Sequence, residues 1–303
     1  MYYTGFADEA AAGIAGQIDA TRELGWKWIE ARAVDGCNLH DLPEEQFEAA
    51  AARLAESGIG VNCLGSAIAN WSKDPFCERD FETTLGQLER ALARMKRLNC
   101  TMLRGMSFRD RPDLPARDPE LEANVFRKLR KMAAMCEDAG VLYLHENCNN
   151  YGGMSWKHTL KMLEQVDSPN FMLVFDTGNP VTAFDRSSDG ERKPQDSWEF
   201  YRNVREFVRY VHIKDADYTA FDPEKGFPDA RPTFPGEGRG EVRRIVEDLL
   251  ANGYDGGFSI EPHMAPAAPA GLPPEEKARW KYDNYVEYGR RFMRMVDEIR
   301  AES

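Results

Sequence analysis

Ala139-Gly140-Val141-Leu142-Tyr143-Leu144-His145-Glu146-Asn147 is the stretch that decides the fold. Gly140 is a residue that ends helices cheaply, because it adopts the left-handed backbone without a Cβ clash. The apolar run after it is too short for a helix and uniform enough for a strand buried on both faces. Glu146, a group that can bind metal, then closes the run. The same order recurs along the chain. Leu24-Gly25 precedes Trp26 to Glu30, Ser57-Gly58 precedes Ile59 to Leu64, and Leu98-Asn99 precedes Cys100 to Arg104. Asn252-Gly253 precedes Tyr254 and the run Gly257 to Ile260. Tyr3 to Ala7, Phe171 to Phe175 and Tyr210 to Ile213 read as strands without that signal.

With Val141 to Leu144 this makes eight candidate strands. Helical periodicity marks Phe47 to Leu54, Leu85 to Leu98, Val125 to Met135 and Val242 to Leu250, and a last helix runs from about Glu275 to Ile299. Alternating β and α units give an α/β protein, and eight is the number that closes. The expectation is a (β/α)8 TIM barrel, one domain over residues 1–303. Such barrels take ~250 residues plus insertions. An open doubly wound sheet is the alternative, but no glycine-rich phosphate fingerprint follows the first strand. The segments Arg109 to Pro119, Asp185 to Gln195 and Pro262 to Pro274 read as long loops, of the kind that build the active face of a barrel.

The formal net charge is -12, from 51 acidic and 39 basic side chains. That balance opposes nucleic acid or an anionic membrane as the main partner. No stretch approaches the ~20 apolar residues that span a bilayer. Met1 to Phe6 has neither the basic nor the apolar region of a signal peptide. The six cysteines, Cys37, Cys63, Cys77, Cys100, Cys136 and Cys148, include no CxxC pair. A zinc knuckle or disulfide framework is not indicated, and a cytoplasmic location is expected.

Four of the later strands end on metal-binding groups: Glu146, Asp176, His212 and Glu261. They lie roughly 30 to 50 residues apart, about one βα unit each. Strand C-termini of a barrel converge on one mouth, so these residues are expected to be neighbours. Burying three carboxylates together is costly without a counter-charge, and one divalent cation removes that cost. A mostly oxygen donor set suits Mn2+ first, with Mg2+, Co2+ or Zn2+ as alternatives.

The segments His145-Glu146-Asn147, Phe175-Asp176-Thr177-Gly178-Asn179, Val211-His212-Ile213-Lys214-Asp215 and Ile260-Glu261-Pro262 resemble the xylose-isomerase-like barrel superfamily. The likeness is in particular to its sugar isomerase/epimerase branch, which includes ketose 3-epimerases, hydroxypyruvate isomerase and inosose dehydratase. Pro235-Gly236-Glu237-Gly238 and Gly253-Tyr254-Asp255-Gly256 share the likeness, which covers nearly the whole chain. In ketose 3-epimerases the metal ligands are Glu, Asp, His and Glu at these strand ends, and both Glu move protons. The resemblance therefore implies Glu146 and Glu261 as catalytic ligands, and Asp176 and His212 as ligands only. It also implies a small-molecule sugar substrate and a homo-oligomer.

The implied chemistry is proton abstraction next to a carbonyl through an enediolate. Return of the proton on the other face gives epimerisation, and return to the neighbouring carbon gives isomerisation. Loss of a β substituent gives a lyase or dehydratase acting on a keto-sugar or 3-keto-glycoside. Endonuclease IV shares the barrel and represents a rival class. Its trinuclear zinc site needs many histidines, whereas this chain has five, and its net charge opposes DNA. A non-catalytic sugar-binding module is the other rival, and the intact Glu pair speaks against it.

The chain departs from the epimerase pattern at two places. Asn179 stands where those enzymes carry a His, and their substrate-binding Arg is not evident in Asp215 to Tyr218. Lys214 and His263 each lie two residues past a ligand, so strand geometry would put them on the same face. With Asn179 and Arg104 they are the candidate substrate-binding residues. Arg104 could instead form an ion pair with Glu30. Trp71 could stack on a sugar but is expected to cover the barrel rim. His145 should point outward as a structural residue, and His40 and His158 are assigned no role.

Overall fold

Every helix stop read from the sequence is left-handed: Gly25, Gly58, Asn99, Gly140 and Gly253 all have φ between 52° and 76°. The chain therefore reverses where those residues stand. The computed structural model describes residues 1–189, 193–220 and 228–302. The strands of the main sheet are β1 (Tyr2–Gly5), β2 (Trp28–Ala31), β3 (Gly60–Gly65), β4 (Met102–Gly105), β5 (Leu142–Glu146), β6 (Phe171–Asp176), β7 (Val208–Ile213) and β8 (Gly257–Ile260), of which β2, β3, β4, β5 and β8 follow the reversals. All pair in parallel, in the order β1-β8-β7-β6-β5-β4-β3-β2. The end strands β1 and β2 pack against each other and bring the sheet round into a barrel. The expected (β/α)8 architecture is the observed one.

Alternation along the strands sets what faces inward. Cys63, Leu144, Val174 and Tyr210 form an apolar cluster inside the barrel. Two residues further along β5, β6 and β7 come Glu146, Asp176 and His212. The register sets His212 opposite Asp176 and Ser259, with Glu146 opposite Val174 and Glu261 two residues past Ser259, so the four groups step around the mouth. The apolar cluster is the floor of the polar layer above it. The residues between these inward-facing ones point outward into the larger core. There Tyr143, Leu173, Phe175, Val211, Phe258 and Ile260 pack against the helices.

The helices are α1 (Ile14–Glu23), α2 (Glu44–Ser57), α3 (Glu78–Leu98), α4 (Pro119–Asp138), α5 (Trp156–Val166), α6 (Ser197–Val204), α7 (Val242–Ala251) and α8 (Pro274–Glu302). Local caps start several of them. Asp118 accepts from the N–H groups of Glu120 and Leu121 ahead of Pro119, Ser155 accepts from His158 N–H, and Asp196 from Glu199 N–H. The sequence reading gave bounds for α2, α3, α4, α7 and α8 and none for α1, α5 and α6, which run to 10, 11 and 8 residues. No helix among the described residues is long and apolar enough to cross a membrane. All six cysteines are free.

The mouth carries more structure than the loops suggested. Small antiparallel hairpins pair Ala33–Val34 with Cys37–Asn38, Phe184–Asp185 with Lys193–Pro194, and Asp215–Ala220 with Asp229–Thr233. Asp215 anchors the last of these. Its carboxylate accepts N–H bonds from Ala216, Gly236, Gly238 and Gly240, at 2.8 to 3.0 Å. A Cβ at Gly238 would lie 2.4 Å from Asp215 Oδ1, which is why the wrapping loop needs glycine there.

Candidate metal centre

Glu146, Asp176, His212 and Glu261 are each at most 2% exposed, and one ligand atom from each lies within 4.8 Å of the others. His212 Nδ1 stands 3.4 Å from Glu261 Oε2, 3.9 Å from Glu146 Oε1 and 4.0 Å from Asp176 Oδ2. The convergence expected from the strand ends is therefore observed. His212 Nδ1, Asp176 Oδ2, Glu261 Oε2 and Glu146 Oε2 are buried without a hydrogen-bond partner among the described residues. Orphaned polar atoms of this kind are rare unless something else satisfies them. Three carboxylates and an imidazole that present lone pairs to one point fit a divalent cation.

The remaining atoms of the four side chains are held in place. Asp176 Oδ1 accepts from the N–H groups of Gly178 (2.8 Å) and Asn179 (2.6 Å), so Oδ2 is the free oxygen. His212 Nε2 lies 3.0 Å from Glu30 Oε2, and Ser259 Oγ donates to the same oxygen at 2.6 Å. An imidazole that donates through Nε2 keeps the Nδ1 lone pair for a metal, the usual role of a carboxylate behind a metal-binding histidine. Asn147 ties β5 to β6 by accepting from Asp176 N–H at 2.7 Å and donating to Asp176 C=O at 3.0 Å.

Glu146 Oε1 accepts from Asn179 Nδ2 at 2.8 Å. Arg104 Nε is 2.7 Å from Glu146 Oε2, yet neither atom makes an aligned hydrogen bond. That contact is one of charge against charge. Arg104 is fixed from behind by Ser66 C=O at 2.7 Å. The expected alternative pair with Glu30 does not form, because Glu30 is turned to His212 and Ser259. Lys214 Nζ donates to Asn179 Oδ1 at 2.8 Å and lies 4.0 Å from Asp176 Oδ2. His263 reaches the site by a different route from the one expected. Its φ is 49°, so it has left strand geometry, and its Nε2 lies 3.1 Å from Glu261 Oε1.

Sequence reasoning missed Arg32. Its Nη1 is 3.2 Å from Glu261 Oε1, while Nε and Nη2 bind Asp8 and Glu9 at 2.8 and 3.1 Å. It follows Glu30 by two, so the alternation that placed Lys214 and His263 would have found it. Glu9, Glu261 and His263 also converge. Arg32 already sits among them and serves as their counter-charge, so the deeper cluster is the better cation site. His145 points outward as expected, fully buried, with Nε2 at 3.0 Å from Ser107 Oγ and 2.9 Å from Asn150 Oδ1.

Charge explains the shifts in proton affinity. Asp8, Glu9, Glu30, Glu146, Asp176 and Glu261 are faced by fewer cations: Arg32, Arg104 and Lys214. Burial, together with Glu261 and Glu146, pushes Asp176 up to about 7 although Lys214 opposes it. Burial would also raise Glu146, but Arg104 and His212 overcome it and hold the carboxyl at about 2. Glu261 is likewise held well below the usual range, against burial, by Lys214 and His263. Burial disfavours charge on His212, yet Glu30, Glu146 and Glu261 raise it far above its ordinary value. The cluster gathers protons when no cation neutralises it.

Above the cluster a cavity of 690 Å³ opens to solvent. Glu146, Glu261, Arg104, Asn179, Lys214 and His263 all line it, so every expected substrate-binding residue faces one space with both glutamates. Trp71 lines it as well and is 53% exposed.

A family model described as xylose isomerase-like TIM barrel matches residues 18–284. No curated protein matches the chain by sequence. Among solved structures, an L-ribulose 3-epimerase superposes with a TM-score of 0.68 at 18% identity, covering 99% of this chain and 95% of that one. A xylose isomerase-like TIM barrel protein from Mycobacterium smegmatis, in complex with magnesium, gives 0.63 at 17%, covering 98% and 97%. The probable 3-DHS dehydratase AsbF from Bacillus anthracis, involved in petrobactin synthesis, gives 0.63 at 15%, covering 93% and 98%. At these identities the likeness shows the fold.

Proposed function

The chain belongs to the xylose isomerase-like TIM barrel family, and from that footing we propose that it is a divalent-metal-dependent sugar isomerase or epimerase. The observation that carries the reading is the convergence of Glu146, Asp176, His212 and Glu261 on one buried point below an open cavity, with unpartnered atoms on Asp176, His212 and Glu261. Mn2+ is the first candidate, and Mg2+, Co2+ or Zn2+ are alternatives. When bound, such an ion supplies Lewis acidity, polarising a substrate carbonyl and favouring the enediolate over the neutral ketose.

The chain's own residues do the rest. Glu146 and Glu261 enter ionised, since Arg104 holds one and Lys214 with His263 hold the other. One carboxylate takes the proton next to the carbonyl. In isomerisation it hands that same proton to the neighbouring carbon. In epimerisation the other carboxylate first takes up a proton from water in the open cavity and delivers it to the opposite face, after which the first releases its own to water. Arg32 and His263 fix Glu261 Oε1, and Asn179 fixes Glu146 Oε1, so neither base needs to search for its orientation. Lys214, Asn179 and Arg104 present donors to sugar oxygens in the cavity wall. Loss of a β substituent after the same proton removal would make the protein a lyase, and product analysis separates the two outcomes.

The test is a panel of ketoses, keto-acids and 3-keto-glycosides incubated in D2O with Mn2+. Deuterium should enter a carbon next to the carbonyl of at least one member, and EDTA should stop the exchange. Exchange that persists after full chelation would remove the metal from the reaction. No exchange on any member would remove the activity.

A further inference from the structure

Among the described residues, the basic side chains in the wall of the cavity above the metal cluster are Arg32, Arg104, Arg109, Lys214 and His263. Each already leans on a carboxylate. Arg32 binds Asp8, Glu9 and Glu261, and Arg104 faces Glu146. Lys214 lies 4.0 Å from Asp176, and His263 lies 3.1 Å from Glu261. Asp8, Glu9, Glu30, Glu146, Asp176 and Glu261 together outnumber Arg32, Arg104 and Lys214 so far that a bound divalent cation leaves no positive charge over for a substrate.

Arg109 stands apart from that cluster, on the loop after β4, and is the cation placed to meet a charged group at the far end of a sugar. Its Nη2 donates to Asp74 Oδ2 at 2.9 Å, and its backbone N–H donates to Lys73 C=O at 3.0 Å. The loops after β3 and β4 therefore hold the guanidinium against Asp74. Next to Arg109 the wall carries Asp110, whose Oδ2 accepts from Arg186 Nη1 at 3.0 Å. A phosphate or carboxylate that approaches Arg109 meets these two carboxylates as well. The rest of the polar wall is neutral: Asn38, Asn70, Asn149, Asn179 and Thr182. An amide or a hydroxyl both donates and accepts, as a sugar hydroxyl does, whereas an ionised phosphate offers acceptors.

We infer that Asp74 and Asp110 make this site select an uncharged sugar: they cancel the pull of Arg109 on a phosphate or carboxylate at the end of the substrate away from the carbonyl. The inference rests on the isomerase or epimerase reading, because that reading puts the carbonyl end beside Glu146 and Glu261. Asp74 acts through Arg109 and is a positioning residue. Asp110 faces the cavity and repels an anion directly.

The experiment compares D-fructose, D-ribulose and D-xylulose, each with the phosphate ester of its last hydroxyl, by calorimetry on the protein in excess Mn2+. In at least one pair the free sugar should bind about tenfold more tightly than its ester, or better. Asp74→Asn should narrow that gap about threefold or more by tightening the ester. Adding Arg109→Gln to Asp74→Asn should restore the gap, which a merely structural role of Asp74 would not do. Asp110→Asn, at a half-buried position, should narrow the gap as well and serves if Asp74→Asn folds poorly. An ester that binds the wild type as tightly as the free sugar, no binding of either, or a gap that both variants leave unmoved would overturn the inference. Deuterium exchange reads the reaction separately. Exchange on the esters at the rate of the free sugars sinks the charge selection and keeps the isomerase reading. Tighter binding of the free sugar without exchange on any member supports the charge selection and removes that reading.

Discussion

Glu30 Oε2 lies 3.0 Å from His212 Nε2, and both side chains are fully buried. The contact decides which imidazole nitrogen is free, and so which way the ligand set can close. In Glu30→Gln the amide can present either its oxygen or its NH2 to the ring, so the tautomer is no longer enforced. Mn2+ affinity is expected to fall about 10- to 100-fold while the far-ultraviolet circular dichroism stays unchanged. Unaltered affinity, measured by competition with a fluorescent chelator, would mean that Glu30 does not orient the ligand.

Asp176 makes the metal-free protein lose stability as pH rises toward neutrality. Its carboxyl is raised to about 7 in the folded state, so folding holds a proton that the unfolded chain releases near the ordinary carboxylate value. The folded state therefore loses stability as pH rises through the window between those values. Asp176→Asn cannot ionise and keeps the oxygen that accepts from Gly178 and Asn179 N–H. Without metal, its stability relative to wild type should improve from pH 5 to pH 8, by on the order of 2 kcal/mol. Excess Mn2+ should stabilise only the wild type to full extent. Urea titrations at the two pH values, with and without Mn2+, read both effects. A difference independent of pH would contradict the burial argument.

Arg104 is expected to control the ionisation of Glu146. It is the first of the charges that hold that carboxyl at about 2 against burial. In Arg104→Met the opposing charge is gone and the desolvation remains, so the acid limb of the pH–rate profile should move up by about one unit or more. Turnover should fall with it. An acid limb that stays in place would assign it to another group.

Asp215 is a structural prediction with no part in the chemistry. Its carboxylate receives the N–H groups of Ala216, Gly236, Gly238 and Gly240. Asp215→Ala leaves those donors without their acceptor and is expected to cost about 2–4 kcal/mol in equilibrium unfolding. A loss within experimental error would show that water replaces the carboxylate at no cost.

Much of this was legible in the sequence because it depends on short-range rules. A glycine or asparagine before an apolar run marks a helix stop, and each such residue proved left-handed. Parallel strands in a barrel end at one mouth, so Glu146, Asp176, His212 and Glu261 could be brought together before any coordinates. What escaped was set by tertiary contacts. Arg32 lies one residue past β2 and far from Glu261 in sequence; alternation from Glu30 puts it on the mouth's face but does not show that its guanidinium crosses to that carboxylate. An ion pair with Glu30 is one of two roles the sequence leaves open for Arg104, since charge alone does not say which of two buried groups it meets. Ser66 C=O draws Arg104 toward Glu146 and leaves Glu30 to His212. His263 was placed on the right face through a strand geometry it does not keep, and the left-handed turn that delivers it carries no sequence signal.

The central claim is that one divalent cation is held where these four side chains meet. Anomalous scattering from crystals soaked in Mn2+ tests it most directly. The account requires a single strong peak bounded by His212 Nδ1, Asp176 Oδ2 and the carboxylates of Glu146 and Glu261. Crystals that show no peak there at saturating Mn2+, or a peak only among other residues, would contradict it.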